Sequence, residues 1–229
     1  MNSQSFPVQE AARDNKPLIV QGLLAENGKL AVSKDSDGRT PLHWACAMGH
    51  EKIVDLILPY MKNVDLDDLV DDGGWTPIHI LCGVGNDAVL DKLMAHEPQP
   101  DINLATSTGV TGLHIAVSKN HYELVKKLLE SYKASARVRD SRGQTPLHRA
   151  AAVGSGVEVK LLVEAKANLN ATEKDGWTPL HHAMAEGHGD VAVLLVELGA
   201  DKDAETGSGE KPVDVASEGV RRYFEERTS

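Results

Sequence analysis

Two adjacent histidines, His181 and His182, follow Asp175 and Trp177 in the stretch DGWTPLHHA at residues 175–183. Histidine titrates near neutral pH, so a pair beside a carboxylate could serve as general acid and base or bind a metal ion. A catalytic histidine needs partners that occur together at one place in the chain. The first question is therefore whether this combination is unique.

The combination is not unique, because the motif around His181 recurs along the chain. TPLH begins at Thr40, Thr145 and Thr178, TPIH at Thr76 and TGLH at Thr111, with intervals of 36, 35, 34 and 33 residues. The histidines that share this repeat position are His43, His79, His114, His148 and His181. We expect them to support the fold through hydrogen bonds around the turn and to the next repeat. His182 occupies the variable position after the motif, and we expect it to contact a partner.

The other reactive-looking segments also have structural interpretations. GVGNDA, from Gly83, loosely matches a dinucleotide-binding fingerprint, but that fingerprint should follow a strand and this segment lies between two predicted helices. Cys46 and Cys82 are the only cysteines and occupy the same repeat position, which predicts small core residues. The chain has no zinc-protease motif, phosphate loop or nucleophile elbow. The sequence therefore predicts a protein that is not an enzyme, with no cofactor and no metal site.

Each repeat is predicted to contain a turn and two helices. A glycine stands two residues before the threonine position, as Gly38 does before Thr40, and is typical of a tight turn with positive φ. The threonine then caps a short helix that has proline as its first residue. The second helix carries apolar residues at i, i+1, i+4 and i+5, which predicts one buried stripe. Glu158 interrupts that stripe in one repeat.

The pattern as a whole resembles the ankyrin repeat family. Repeats begin near residues 6, 40, 76, 111, 145, 178 and 211, and the first and last are degenerate copies that we expect to act as caps. The resemblance implies an all-α solenoid of seven helix-turn-helix units, with β-turn fingers beside a concave face. Such repeats are stabilised by contacts with their neighbours. We therefore expect one domain that spans residues 1–229.

Composition excludes several other classes of protein. The 229 residues carry a formal net charge of −10 with a pI near 5.4, which argues against generic binding to nucleic acid. No segment has the roughly 18 uninterrupted apolar residues of a membrane-spanning helix, and the N-terminus lacks the apolar core of a signal peptide. We therefore expect a monomer in the cytoplasm and nucleus that does not bind membranes.

Variable positions on the fingers and first helices are the candidates for partner binding. Acidic side chains predominate in the first half of this set and basic ones toward the middle, so the surface could orient a partner of opposite charge pattern. Trp75 and Trp177 add aromatic groups of the kind that contribute strongly to interfaces. The full set is Asp37, Arg39, Trp44, Asp72, Trp75, Lys119, Arg142, Arg149, Trp177 and His182.

Several stretches resemble one branch of the ankyrin family more closely, namely gankyrin and its fungal counterpart. They are DGRTPLHWAC, NVDLDDLVDDGGWTPIHI, AVSKNHYEL, TPLHRAAAVGS and DGWTPLHHAMAEGHGDVAVLLVE. The resemblance implies an assembly chaperone of the proteasome regulatory particle, which holds the C-terminal domain of a base AAA ATPase subunit on its concave face. It also implies acidic contacts at Asp37 and Asp72 and basic contacts at Arg39 and Lys119. An ankyrin adaptor for a transcription factor, a kinase or another regulatory protein is the alternative.

Overall fold

The computed structural model describes residues 6–228, and no β-strand occurs among them. No helix in this part of the chain is long and apolar enough to cross a membrane. The chain divides between Ser107 and Thr108 into two compact units, which we call unit 1 and unit 2. Each unit is described by itself, and the expectation of one domain over residues 1–229 remains a prediction.

Unit 1 contains three helix pairs. The first helices of the pairs pack on one another in chain order, and so do the second helices of the first two pairs. Short 3-10 helices at Gly28–Val32, Leu58–Met61 and Leu66–Asp68 lie in the connections. The α-helices are α1 (Pro7–Arg13), α2 (Pro17–Glu26), α3 (Pro41–Ala47), α4 (Glu51–Ile57), α5 (Pro77–Val84) and α6 (Asp87–Met94).

Unit 2 repeats this arrangement and ends in one further helix. First helices α7, α9 and α11 pack in series, second helices α8, α10 and α12 do the same, and α13 packs on α12 with Phe224 buried. Only α13 forms in the last repeat, because residues 211–217 make turns instead of a first helix. The bounds are α7 (Gly112–Ser118), α8 (Tyr122–Glu130), α9 (Pro146–Val153), α10 (Gly156–Glu164), α11 (Pro179–Ala185), α12 (Gly189–Glu197) and α13 (Glu218–Thr228).

The turn before each threonine needs glycine for two reasons that Gly38 illustrates. Its φ is +72°, in the left-handed region that disfavours residues with a side chain. A Cβ atom there would lie 2.5 Å from Asp72 Oδ1 and 2.9 Å from Asp72 N in the next finger. The glycine therefore permits both the bend and the close approach of successive fingers, which join through a hydrogen bond from Asp72 N–H to Asp37 O at 3.0 Å.

The repeated histidine links each helix start to the following repeat. In α9, the Thr145 N–H donates to His148 Nδ1 at 3.0 Å, so that nitrogen carries no proton. Nε2–H consequently donates to the Trp177 carbonyl in the next finger, at 3.2 Å. The same pair of contacts occurs at His43, His114 and His181. His79 accepts from the Thr76 N–H in the same way, but donates to the Leu104 carbonyl, seven residues before the next motif threonine. The prediction that these histidines are structural is confirmed.

The apolar stripes of the second helices form the core, with one exception. Ile53, Val89, Leu124 and Val191 share one repeat position and are almost completely buried. Glu158 takes that position in α10, is 0% exposed, and has no hydrogen-bond partner on either carboxyl oxygen. Burial raises the pKa of Glu158 from 4.5 to about 7, although the nearby Ser155 side chain offsets part of the rise. The sequence correctly marked this stripe as weakened.

Replacing His148 by Leu should lower the free energy of unfolding of unit 2 by about 2–4 kcal/mol at pH 7.5, because buried donors and acceptors lose their partner. Burial and nearby His182 lower the pKa of His148 from 6.5 to about 4. The unfolded chain therefore binds this proton first, and stability is lost as pH falls below 6.5. As the pH falls from 6.5 to 5, the free energy of unfolding should therefore decrease by about 2 kcal/mol more in the wild type than in the variant.

Urea unfolding at several pH values measures both effects. Trp177 fluorescence reports on unit 2 once Trp44 and Trp75 are replaced by Phe, because these are the three tryptophans of the chain. An identical acid dependence in wild type and variant would show that His148 does not titrate as its contacts require.

Replacing Glu158 by Val should stabilise unit 2, and more so at alkaline pH. The folded state holds the proton up to about pH 7, whereas the unfolded chain releases it near pH 4.5. Stability therefore falls between these pH values, and the loss reaches about 3 kcal/mol above pH 7. The expected gain is about 2–3 kcal/mol at pH 8 and smaller at pH 5, measured by the same unfolding assay. Glu164→Val changes an exposed residue of the same helix and serves as control. Equal effects of the two variants would contradict the assigned burial.

Candidate protein-binding surfaces

The predicted partner-binding residues lie on fingers or first helices in both units. We call Asp37, Arg39, Trp44, Asp72 and Trp75 the unit 1 surface, and Lys119, Arg142, Arg149, Trp177 and His182 the unit 2 surface. Within each unit, their side chains differ strongly in how freely they face solvent. Part of that difference comes from an aspartate at the base of a finger, five residues before the motif threonine.

In unit 1, two finger-base aspartates each make two kinds of contact. Asp35 Oδ1 accepts hydrogen bonds from the Asp37 and Arg39 amides, both at 2.9 Å, while Oδ2 accepts from Trp44 Nε1–H at 2.7 Å. Asp71 Oδ1 accepts from the Gly73 and Trp75 amides, also at 2.9 Å. Burial alone would raise the pKa of Asp35, but the bonds from Trp44 and the turn amides hold it below its usual value.

Arg39 and Trp44 form one fixed group on this surface. Arg39 Nε–H donates to Asp71 Oδ2 at 3.2 Å, and its guanidinium carbon lies 4.9 Å from the centre of the Trp44 ring. Arg13 approaches the same ring at 5.8 Å. The Arg39 side chain is therefore paired and 33% exposed. The reason is that Asp71, in the following finger, lies within reach of its guanidinium.

Exposed groups complete the unit 1 surface. Asp37 and Asp72 are exposed at the tips of two fingers, which are joined by the backbone hydrogen bond from Asp72 N–H to Asp37 O. Trp75 is half-buried, and its ring centre lies 6.2 Å from that of His79. Met48 is 47% exposed and Val84 is 44% exposed, at equivalent positions near the ends of α3 and α5. Neither residue is in the predicted set given above, and the signal for both is the repeat position that they share, eight residues after the motif threonine.

Unit 2 contains the same finger-base arrangement. Asp140 Oδ1 accepts from the Arg142 and Gln144 amides, both at 2.9 Å, and Oδ2 accepts from Arg149 Nη2–H at 2.7 Å. Burial would raise the pKa of Asp140, but Arg149 and the turn amides hold it below its usual value. The Arg149 side chain is therefore paired and 25% exposed. Lys119 and Arg142 are exposed.

Trp177 and His182 pack together rather than stand apart. Their ring centres lie 5.2 Å apart, edge to face, and the His182 ring lies 5.6 Å from that of His148. Burial lowers the pKa of His182, with Arg149 and Arg142 nearby adding to this effect and Glu186 opposing it. Burial thus favours the neutral imidazole, and the buried Nε2 of His182 has no hydrogen-bond partner. The ring can pack against a partner.

The segments considered for catalysis have structural roles. Gly85 ends α5 in the left-handed conformation at φ +82°, and Asn86 Oδ1 accepts from the Val89 amide at the start of α6. Cys46 and Cys82 are buried, which raises the pKa of both thiols, that of Cys82 to about 12. Among residues 6–228, no group of three or more His, Cys, Asp or Glu side chains is arranged to hold a metal ion.

The chain is similar to known ankyrin-repeat proteins. A family model described as "Ankyrin repeats (3 copies)" matches residues 2–69, 61–140 and 113–206. A curated relative from Saccharomyces cerevisiae, "Probable 26S proteasome regulatory subunit p28", is 46% identical over 151 residues, which are 66% of this chain and 66% of that protein. The chain therefore aligns with slightly less than two thirds of that relative.

A solved structure extends the likeness to almost the whole chain. The ankyrin repeat domain of Bcl-3, a member of the IkappaB protein family, superimposes with a TM-score of 0.81 at 26% identity. The match covers 98% of this chain and 100% of that domain. Together with the helix pairs, it confirms the predicted all-α ankyrin solenoid.

Proposed function

The chain belongs to the ankyrin-repeat family, and from this we propose that it is a non-catalytic, protein-binding assembly chaperone of the proteasome regulatory particle. It binds the C-terminal domain of a base AAA ATPase subunit through the unit 1 and unit 2 surfaces. The single observation that carries the proposal is the 46% identity to a probable 26S proteasome regulatory subunit. This function implies that the protein acts in the cytoplasm and nucleus, as a monomer.

The charge distribution supports a partner with separate basic and acidic regions. Residues 1–107 contain 16 acidic and 8 basic side chains, whereas residues 108–229 contain 18 acidic and 16 basic side chains. The exposed fingertip acids Asp37 and Asp72 belong to the more acidic unit, and the exposed cations Lys119 and Arg142 belong to the more balanced one. Complementary charge sets orientation and accelerates association more than it increases affinity.

An adaptor for another regulatory protein is the second candidate. The observation that favours it is the superposition on the Bcl-3 ankyrin domain across 98% of the chain. Titration of the purified full chain with the isolated C-terminal domain of each base ATPase subunit separates the two candidates. Saturable binding of one such domain supports the chaperone, whereas no binding to any of them contradicts it.

Reversing Lys119 and Arg142 together to Glu should weaken binding of the ATPase domain by at least about tenfold, because repulsion is added to lost attraction. Both side chains are exposed, so the fold should be retained. Arg39 is left intact because a carboxylate there would face Asp71. Calorimetry and association kinetics measure the effect, which should diminish as salt rises.

The control reverses Lys52 and Lys160, which are exposed on second helices α4 and α10 and give the same change in net charge. If the control weakened binding as much as the test variant, the effect would be general electrostatics and the proposed surface would be wrong.

A further inference from the structure

We propose that the finger-base aspartates Asp35, Asp71 and Asp140 are positioning residues, each of which fixes one partner-contacting side chain before the partner arrives. One carboxylate oxygen closes the aspartate's own turn, and the other holds the side chain. The residues held are Trp44, Arg39 and Arg149, respectively. The inference rests on the proposed function only in assuming that these side chains meet a protein partner.

Turn closure alone does not explain a carboxylate at these positions. In each case Oδ1 accepts from the amides two and four residues later, at 2.9 Å. An asparagine could make the same two bonds through its side-chain oxygen, because turns of this kind need one acceptor. The second oxygen is therefore available for another task, and in all three fingers it receives a side-chain N–H.

The side chains held by these oxygens come from variable positions, not from the repeated framework. Trp44 and Arg149 occupy the position after the motif histidine, in α3 and α9, and Arg39 lies just before Thr40. The acceptors are themselves shielded, since the side chains of Asp71 and Asp140 are 6% and 2% exposed. A charge-assisted bond in such surroundings is short and directional, as the 2.7 Å contact between Arg149 and Asp140 shows.

Two consequences follow for recognition. Long side chains lose rotamer freedom when they bind a partner. If Arg149 or Arg39 is fixed beforehand, affinity should be about three- to tenfold higher than with a free side chain. The paired aspartate also offsets the charge of Arg39 and of Arg149, so each guanidinium presents a planar face more than an uncompensated charge. The partner groups that suit Arg39, Trp44 and Arg149 are therefore flat or carbonyl-bearing, whereas isolated carboxylates suit exposed Lys119 and Arg142.

Unit 2 offers a matched test of the inference. Asp140→Asn retains the oxygen that closes the turn and places an amide donor against Arg149, which should release that side chain. Glu173→Gln is the control, because Glu173 occupies the same finger position and Oε1 accepts from the Asp175 amide at 3.2 Å. Asp140→Asn should weaken binding of the ATPase C-terminal domain about three- to tenfold, and Glu173→Gln should leave it unchanged.

A double-mutant cycle distinguishes positioning from a general structural role. In a chain that already carries Arg149→Met, the change Asp140→Asn should have no further effect on the dissociation constant. A loss of the same size in both backgrounds would overturn the proposal, because Asp140 would then act through something other than Arg149.

A second measurement needs no partner, so it decides the inference even if the ATPase domain does not bind. The Nε of Arg149 is buried, and its proton should give a slowly exchanging ¹⁵N NMR signal in the wild type. Asp140→Asn should broaden that signal or speed its exchange, and Glu173→Gln should not. An unchanged signal in Asp140→Asn would overturn the proposal.

If Asp140→Asn does not fold, the same measurement is made on Asp35→Asn in unit 1. The indole Nε1–H signal of Trp44 should then shift upfield and exchange faster, because its bond to Asp35 Oδ2 is lost. An unchanged indole signal would overturn the proposal.

Discussion

A neutral histidine at the start of the first helices α3, α5, α7, α9 and α11 is the constraint on which the rest of the structure depends. Its Nδ1 accepts the threonine N–H, so its Nε2–H must point at a carbonyl of the next repeat, as in the contact from His43 to Trp75 O at 3.1 Å. One side chain thus fixes the helix start and the spacing of the next finger. Protonation would break this arrangement, and burial opposes protonation because it lowers the pKa values of His43 and His114.

The candidate binding surfaces follow from that spacing. Successive fingers lie close enough for Arg39 to reach Asp71, and the turn between a finger and its helix is short enough for Asp140 to reach Arg149. The same aspartate therefore belongs to the framework and to the surface, because one of its oxygens closes a turn and the other holds a variable side chain. The fold stabilises the shape of the surface, while the variable positions determine its chemistry.

The sequence predicted most of the fold because its signals are local and repeated. The spacing of the threonine motifs, the glycine turns and the apolar stripes each report on contacts within a repeat or between identical positions of neighbouring repeats. The pairing of Arg39 with Asp71 could not be predicted, because a contact between the side chains of two fingers does not appear as a repeated pattern in the sequence. The last repeat also differed, since residues 211–217 form turns although Pro212 occupies the position that begins a helix elsewhere.

Hydrogen–deuterium exchange of the full chain, with and without the C-terminal domain of a proteasome base ATPase subunit, tests the central claim most directly. Bound ATPase domain is expected to slow exchange in the fingers and first helices, at residues 35–48, 71–84, 106–119, 140–153 and 173–185. Second helices such as α4 and α10 should exchange at the same rate in both samples. Slower exchange confined to the second helices, or no change under saturating partner, would contradict the account.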